Sequence, residues 1–196
     1  MRILIAALLF SSLAASQSQP QAPATPQPSA PTAQTSAAAP AMPEARAQDV
    51  DTVDHIIAAL YDVISGPAGQ ARDWDRFRSL FIPEARLIPN SVRPDGSTTH
   101  RVLSPADYVE RARNSFAQQG FFENEVARRQ QQFANIVHAF STYESRHEKG
   151  APPFARGINS IQLLSDGKRW YVVTIMWQGE DASHALPAEY LKSGAQ

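Results

Sequence analysis

Apolar positions along this chain change period once, from helical to extended, and the change divides the folded part into two halves. Val53, Ile56, Ile57, Leu60 and Ile64 recur at i, i+3, i+4, i+7 spacing, which predicts a helix of about four turns with one buried stripe. Asp49 or Asp51 is placed to cap it, and Gly66-Pro67 ends it. Asp73 suits the N-cap of a second helix, with Trp74, Phe77 and Phe81 on its inner side and Ile82-Pro83 as its stop. Two short extended pieces, Ala85 to Pro89 and Thr98 to Val102, flank a Pro94-Asp95-Gly96 turn. Ser104-Pro105-Ala106-Asp107 then reads as a capping box with proline at the first helical position, opening a third helix that buries Tyr108, Val109, Ala112 and Phe116. Beyond Gly120 the pattern is extended. Glu123 to Gln132 is rich in helix formers, but Phe121-Phe122 and the strand-like sequence that follows favour a long strand with charged outward positions. Phe133 to Glu180 supplies three more strands, two of them joined at Asp166-Gly167. The order of elements is that of an α+β domain with helices laid on one face of an antiparallel sheet.

Composition changes the picture mainly at the N-terminus. Arg2, the short apolar run from Ile3 to Leu13 and Ala14-Ala15-Ser16 have the form of a signal peptide over residues 1–16, which predicts a periplasmic or secreted protein with no stable membrane span after cleavage. The alternative is an uncleaved N-terminal anchor, for which the apolar run is short. Residues 17–48 are Ala, Pro, Gln, Ser and Thr almost throughout and read as a disordered tether. The folded domain is then 49–191, with 192–196 as a tail. There is no cysteine, which excludes disulfides, thiolate metal sites and thiol nucleophiles. A net charge of -1 without a basic stripe argues against nucleic acid as a partner.

Strand register, extended outward from a two-residue Asp166-Gly167 turn, predicts a candidate cavity face. Ser165 would face Lys168, Leu163 would face Trp170, Asn159 would face Thr174 and Gly157 would face Met176. Adding the preceding strand puts His138, Phe140, Thr142 and Glu144 on the same face. The candidate ligand-binding residues are therefore Thr142, Asn159, Thr174, Trp170, Phe140 and Met176, with Glu144 and His138 as candidates for a general base. Competing readings pair Glu144 with Arg146 or Arg156, make His138 a hydrogen-bonded structural histidine, and let Asn159 satisfy Thr174 or buried backbone. The opposite face is also apolar, so a partner subunit is expected to cover it, giving a homodimer through the outer sheet face. Asp73 and Asp107 are explained by capping. The five histidines lack metal-ligand spacing, and His147-Glu148 has no second histidine, so no metal site is expected. Neither a phosphate loop nor a nucleophile elbow is present, and no cofactor is called for. Glu123 and Glu125, with Arg128-Arg129, read as a solvated strand face.

Several segments resemble the nuclear transport factor 2-like superfamily, which includes SnoaL-like proteins and ketosteroid isomerases. They are Ala58 to Tyr61, Asp73-Trp74-Asp75-Arg76-Phe77, Leu80 to Ala85, and the Asp166-Gly167-Lys168-Arg169-Trp170 hairpin. Phe140 to Glu144 and Arg156 to Ser160 are similar to exported members of unassigned activity. The resemblance implies a cone-shaped, curved, mixed or antiparallel sheet with three N-terminal helices packed on its concave face. It also implies a conical pocket for a small apolar or amphipathic molecule. No residue here matches the isomerase motifs one by one. The expected function is thus an exported small-molecule-binding domain. The alternatives are an isomerase or dehydratase using a pocket Glu or His as general base, and a structural dimerisation module without ligand.

Overall fold

The computed structural model describes residues 42–192 and the backbone of Gly194 and Ala195. The expected signal peptide and residues 17–41 of the expected tether lie outside the described residues. Of the rest of that tether, Met42 and Ala45 pack against the core and Ala47-Gln48 open a helix. Among those described, no helix is long and apolar enough to cross a membrane.

The apolar stripe at Val53 becomes helix α2 (Val53–Ile64), preceded by a single-turn α1 (Ala47–Val50). Thr52 caps α2 by accepting from the His55 N–H, and Asp49, expected as a cap, is instead buried against Arg76. Asp73 caps α3 (Trp74–Ser79) as expected, but the helix stops before Phe81, which opens β1 (Phe81–Val92). Pro83 is accommodated where the pairing of β1 is irregular, because proline has no N–H to give to a ladder. After β2 (Thr98–His100) comes α4 (Pro105–Gln118), with the capping box complete: Ser104 Oγ accepts from the Asp107 N–H, and the Asp107 carboxylate accepts from the Ser104 N–H. Ser104→Ala is expected to lower stability by about 1 kcal/mol. Urea unfolding midpoints measure this, and an unchanged midpoint would refute the role of the cap.

The four long strands are β3 (Phe122–Phe133), β4 (Ile136–Arg146), β5 (Ala155–Ser165) and β6 (Trp170–Gly179). With the two-residue β7 (Gly194–Ala195) they form one curved, unclosed sheet in the order β2-β1-β6-β5-β4-β3-β7. The β1–β6 and β3–β7 pairs are parallel and the others antiparallel, so the sheet is mixed. Pairing with β4 along almost its whole length makes Phe122–Phe133 a strand despite its helix-forming composition.

Register departs from the expected one at two points. The β5–β6 connection is a four-residue loop: Asp166 Oδ1 accepts from the N–H groups of Lys168 (2.8 Å) and Arg169 (2.9 Å), so Ser165 faces Trp170 rather than Lys168. A bulge opposite Gln162 and Leu163 then inserts Val173, and beyond it every β6 side chain changes face. Asn159 consequently faces Trp177, not Thr174. On the other side Asn159 faces Ser141, one residue away from the expected Thr142. The inner face carries Ala139, Ser141, Tyr143, Asn159, Ile161, Leu163, Val172 and Ile175, and α2, α3 and α4 cover it. Phe77 centres the aromatic packing, with ring centroids 4.8 Å from Phe81, 5.2 Å from Tyr108 and 5.8 Å from Trp74.

Part of the outer face is covered from within the same chain. A short 3-10 turn (Ala188–Leu191) brings Tyr190 over Phe140, 5.7 Å between centroids, and its carbonyl accepts from Thr142 Oγ1. Arg129 Nε donates to the Glu189 carbonyl at 2.8 Å. Thr142 is only 1% exposed as a result, whereas Phe133, Ile136 and Met176 on the same sheet remain 79%, 56% and 44% exposed.

Candidate functional site

The residues expected to share a cavity are divided between two faces. Glu144 lies on the outer face in an ion pair with Arg146, whose guanidinium also donates to Asn124 Oδ1 (2.7 Å) and the Ala151 carbonyl (2.8 Å). His138, also outer, makes a 3.0 Å hydrogen bond to Ser160 Oγ and packs edge-on against Phe140. Thr174 and Met176 fall on that outer face because of the bulge at Val173; Phe140 and Met176 line a groove of about 560 Å³ there, beneath Leu186 and Pro187. Of the eight candidates only Asn159 and Trp170 take the inner face, and Trp170 packs at the far end of β6. The expected convergence of Glu144, His138 and Asn159 therefore does not occur.

A different polar cluster forms around Asn159, drawn from four elements. Glu123 and Glu125 stand two apart on β3, so both side chains reach the inner face. The irregularity at Val126 then brings Arg128 beside Glu125, which it grips with Nε (2.9 Å) and Nη2 (2.8 Å). This paired carboxylate can only accept hydrogen bonds. Ser141 Oγ donates to it at 2.6 Å, so the Ser141 oxygen must accept from the Tyr61 hydroxyl, also at 2.6 Å. The Tyr61 oxygen in turn accepts from Asn159 Nδ2 at 3.0 Å. The second Nδ2 hydrogen approaches Glu123 Oε1 at 3.5 Å, and Ser145 Oγ donates to Glu123 Oε2 at 2.7 Å. Ser65, at the end of α2, ties this end of the sheet to the helix by accepting from the Glu123 N–H.

Electrostatics single out Glu123. Burial raises its carboxyl from 4.5 to about 7, against the hydrogen bonds from Ser145 and Asn159 that favour the ionised form. Burial also pushes the Tyr143 hydroxyl up to about 12, with a further contribution from the Glu123 charge. Tyr61 and Tyr108 are raised by the same cause, so all three inner tyrosines stay neutral near pH 7. Gly157 makes room for Tyr143: a Cβ there would lie 2.6 Å from the Tyr143 hydroxyl and 2.3 Å from the Gln178 carbonyl. Two spaces adjoin the cluster. An inner cavity of about 60 Å³ is lined by Leu60, Phe77, Ile175 and Trp177 together with Tyr108 and Asn159. A cleft of about 690 Å³ touches Glu123 and Ser65 on one side and Arg146, Lys149 and Pro152 on the other. Among the described residues no three His, Asp or Glu side chains gather as metal ligands would.

Glu123, Glu125, Tyr61, Ser141 and Ser145 were not readable as a site from the sequence. The available signal was two carboxylates spaced for one face of a strand whose neighbours supply the core. Taken with the nearby arginines, that spacing fits a solvated face equally well.

No family model matches this chain, and no curated protein does. Solved structures do. A protein of unknown function with a cystatin-like fold from Nostoc punctiforme is 8% identical over 66% of this chain and 90% of its own, with a TM-score of 0.51. An NTF-2-like protein of unknown function from Silicibacter pomeroyi is 14% identical over 66% and 99%, TM-score 0.42. A ketosteroid isomerase-like protein from Parabacteroides distasonis is 10% identical over 66% and 89%, TM-score 0.46. At these identities the likeness concerns the fold. Several of the solved structures this chain is similar to are named NTF-2-like or ketosteroid isomerase-like, as are members of the superfamily its sequence resembles.

Proposed function

We propose that this domain binds a small molecule on the inner face of its sheet, at the carboxyl of Glu123. The observation that carries the reading is the Glu123 carboxyl, which lines a cleft, is held by Ser145 and by the Asn159 that lines a small apolar cavity, and is raised to about 7 by burial. Such a group changes charge within the physiological range, so ligand affinity is linked to its protonation. In the same reading the protein is exported, and the exposed part of the outer face, at Phe133, Ile136 and Met176, takes a second copy of the chain.

The test is a thermal-shift and calorimetric screen of small amphipathic molecules against wild type and Glu123→Ala at pH 6 and pH 8. A bound molecule is expected to change affinity at least threefold between the two pH values in wild type, and not in the variant. Hits that bind both proteins equally at both pH values would remove Glu123 from the site.

A second reading is favoured by the same carboxyl: an isomerase or dehydratase in which Glu123 is the general base. A base near neutrality, held by Ser145 and surrounded by tyrosines, is suited to moving a proton next to a carbonyl or hydroxyl. Solvent deuterium exchange into a bound molecule, present in wild type and lost in Glu123→Gln, is the expected signature. Binding without exchange would leave the domain a binding protein.

A further inference from the structure

The hydrogen-bond chain Asn159–Tyr61–Ser141–Glu125 has a direction imposed from one end, and that direction decides what the inner cavity can receive. Glu125 is fixed as an acceptor by Arg128. Ser141 and Tyr61 each have one hydroxyl hydrogen, and each must spend it toward Glu125. Asn159 is left to offer its NH2 group to Tyr61, which settles the orientation of its amide by chemistry. With Nδ2 directed to Tyr61 and Glu123, the remaining polar atom, Oδ1, has no hydrogen-bond partner among the described residues. Asn159 is 8% exposed and is one of the residues that line the cavity. Tyr108 is another lining residue, and its hydroxyl is likewise without a hydrogen-bond partner among the described residues. Leu60, Phe77, Ile175 and Trp177 make the rest apolar.

We infer that the inner cavity takes the hydroxyl-bearing end of an otherwise apolar molecule. A hydroxyl donates to Asn159 Oδ1 and accepts from Tyr108, satisfying both residues with one group. A ketone only accepts, and would leave Asn159 Oδ1 buried and unpaired, which is the kind of mismatch that discriminates strongly between ligands. This inference rests on the proposed inner-face site and adds its ligand class: alcohols over ketones of the same shape. The volume, about 60 Å³, suits a small branched alcohol or the tip of a larger one.

Propan-2-ol and acetone are a matched pair of probes, with the same carbon skeleton and different hydrogen bonding. Both are titrated into the ¹⁵N-labelled full chain, following the Asn159 side-chain amide and the Trp177 indole. Propan-2-ol is expected to give saturable shifts at both, with acetone at least tenfold weaker. Tyr61→Phe removes the acceptor that pins the amide, Asn159 is free to turn its NH2 to the cavity, and the preference is expected to fall below threefold. Should Tyr61→Phe fail to fold, Ser141→Ala serves instead, because Tyr61 then lacks its acceptor and donates back to Asn159 Oδ1. Equal binding of the two probes by wild type, no saturation by either up to about 100 mM, or an undiminished preference in the folded variant each overturns the inference. If that happens while larger molecules still bind with a pH dependence lost in Glu123→Ala, the binding site stands and its ligand lies in the cleft. A hydroxyl preference without that pH dependence would instead retain the cavity and remove Glu123.

Discussion

Glu123→Gln is expected to make the protein more stable at pH 8 than wild type and to flatten its stability between pH 5 and pH 8. The carboxyl titrates at about 7 in the folded protein and at 4.5 otherwise, so the folded state holds its proton more tightly. Its stabilising contribution is full below 4.5 and disappears as pH rises through 7. Above that, folding keeps an ionised carboxylate in a buried setting. A difference of about 2.5 units corresponds to about 3 kcal/mol, an upper value because Glu123 touches the open cleft and water relaxes part of the penalty. Glutamine keeps the hydrogen bond from Ser145 and cannot ionise. Urea unfolding of both proteins at pH 5, 6, 7 and 8 measures the effect. A wild type whose stability rises or stays level across that range would show that Glu123 is not held protonated.

Arg72→Ala is expected to lower stability by about 4 kcal/mol, more than any surface substitution in this chain. Arg72 is 7% exposed and donates to four backbone carbonyls: Ile64 (2.9 Å), Gly66 (2.6 Å), Gln70 (2.6 Å) and Pro67 (3.3 Å). Its guanidinium also lies 5.1 Å from the centroid of Phe116 on α4. These bonds close the segment between α2 and α3, where Gly66 pairs in turn with Phe121, the residue before β3. A Cβ at Gly66 would lie 2.7 Å from the Arg72 guanidinium carbon, so a side chain there would displace the guanidinium from its carbonyls. Removing Arg72 strands several carbonyls at once and loosens Ser65, which holds the Glu123 backbone. Arg72→Lys, with one point of donation in place of a planar fork, is expected to recover less than half of the loss. A destabilisation of Arg72→Ala under 1 kcal/mol would show that water replaces the guanidinium without penalty.

The elements were legible in the sequence wherever a local signal agreed with the tertiary structure. The Ser104 capping box, the Asp73 cap and the Val53–Ile64 stripe each carry their own short-range reason, and each forms as read. Even Phe122–Phe133, whose composition favours helix, is betrayed by its neighbours. The candidate site was not legible in this way. Its composition depends on which of two faces each strand residue takes, and parity is lost through a single extra residue. Val173 is such a residue: it gives no sequence signal, yet it moves Thr174 and Met176 away from Asn159 and puts Ile175 and Trp177 in their place. The longer Asp166 loop and the one-residue offset of β4 complete the exchange of Glu144 and His138 for Ser141 and Tyr143.

What the sequence determined by itself is the Val53–Ile64 and Pro105–Gln118 helices, the four long strands, their order and the α+β class, because caps, turns and hydrophobic period act within a few residues of one another. The α1 turn, the 3-10 turn, β7 and the strand start at Phe81 were not read from it. It also placed Asn159 among the candidates. Only the tertiary structure decided that Asn159 works with Tyr61 and Glu123. Those three lie 62 and 36 positions apart along the chain, and their meeting depends on strand pairing and helix docking. It also decided that Glu123 is an acid near neutrality rather than a surface charge, since the cause is burial, which exists only once α2 and the sheet have closed over it.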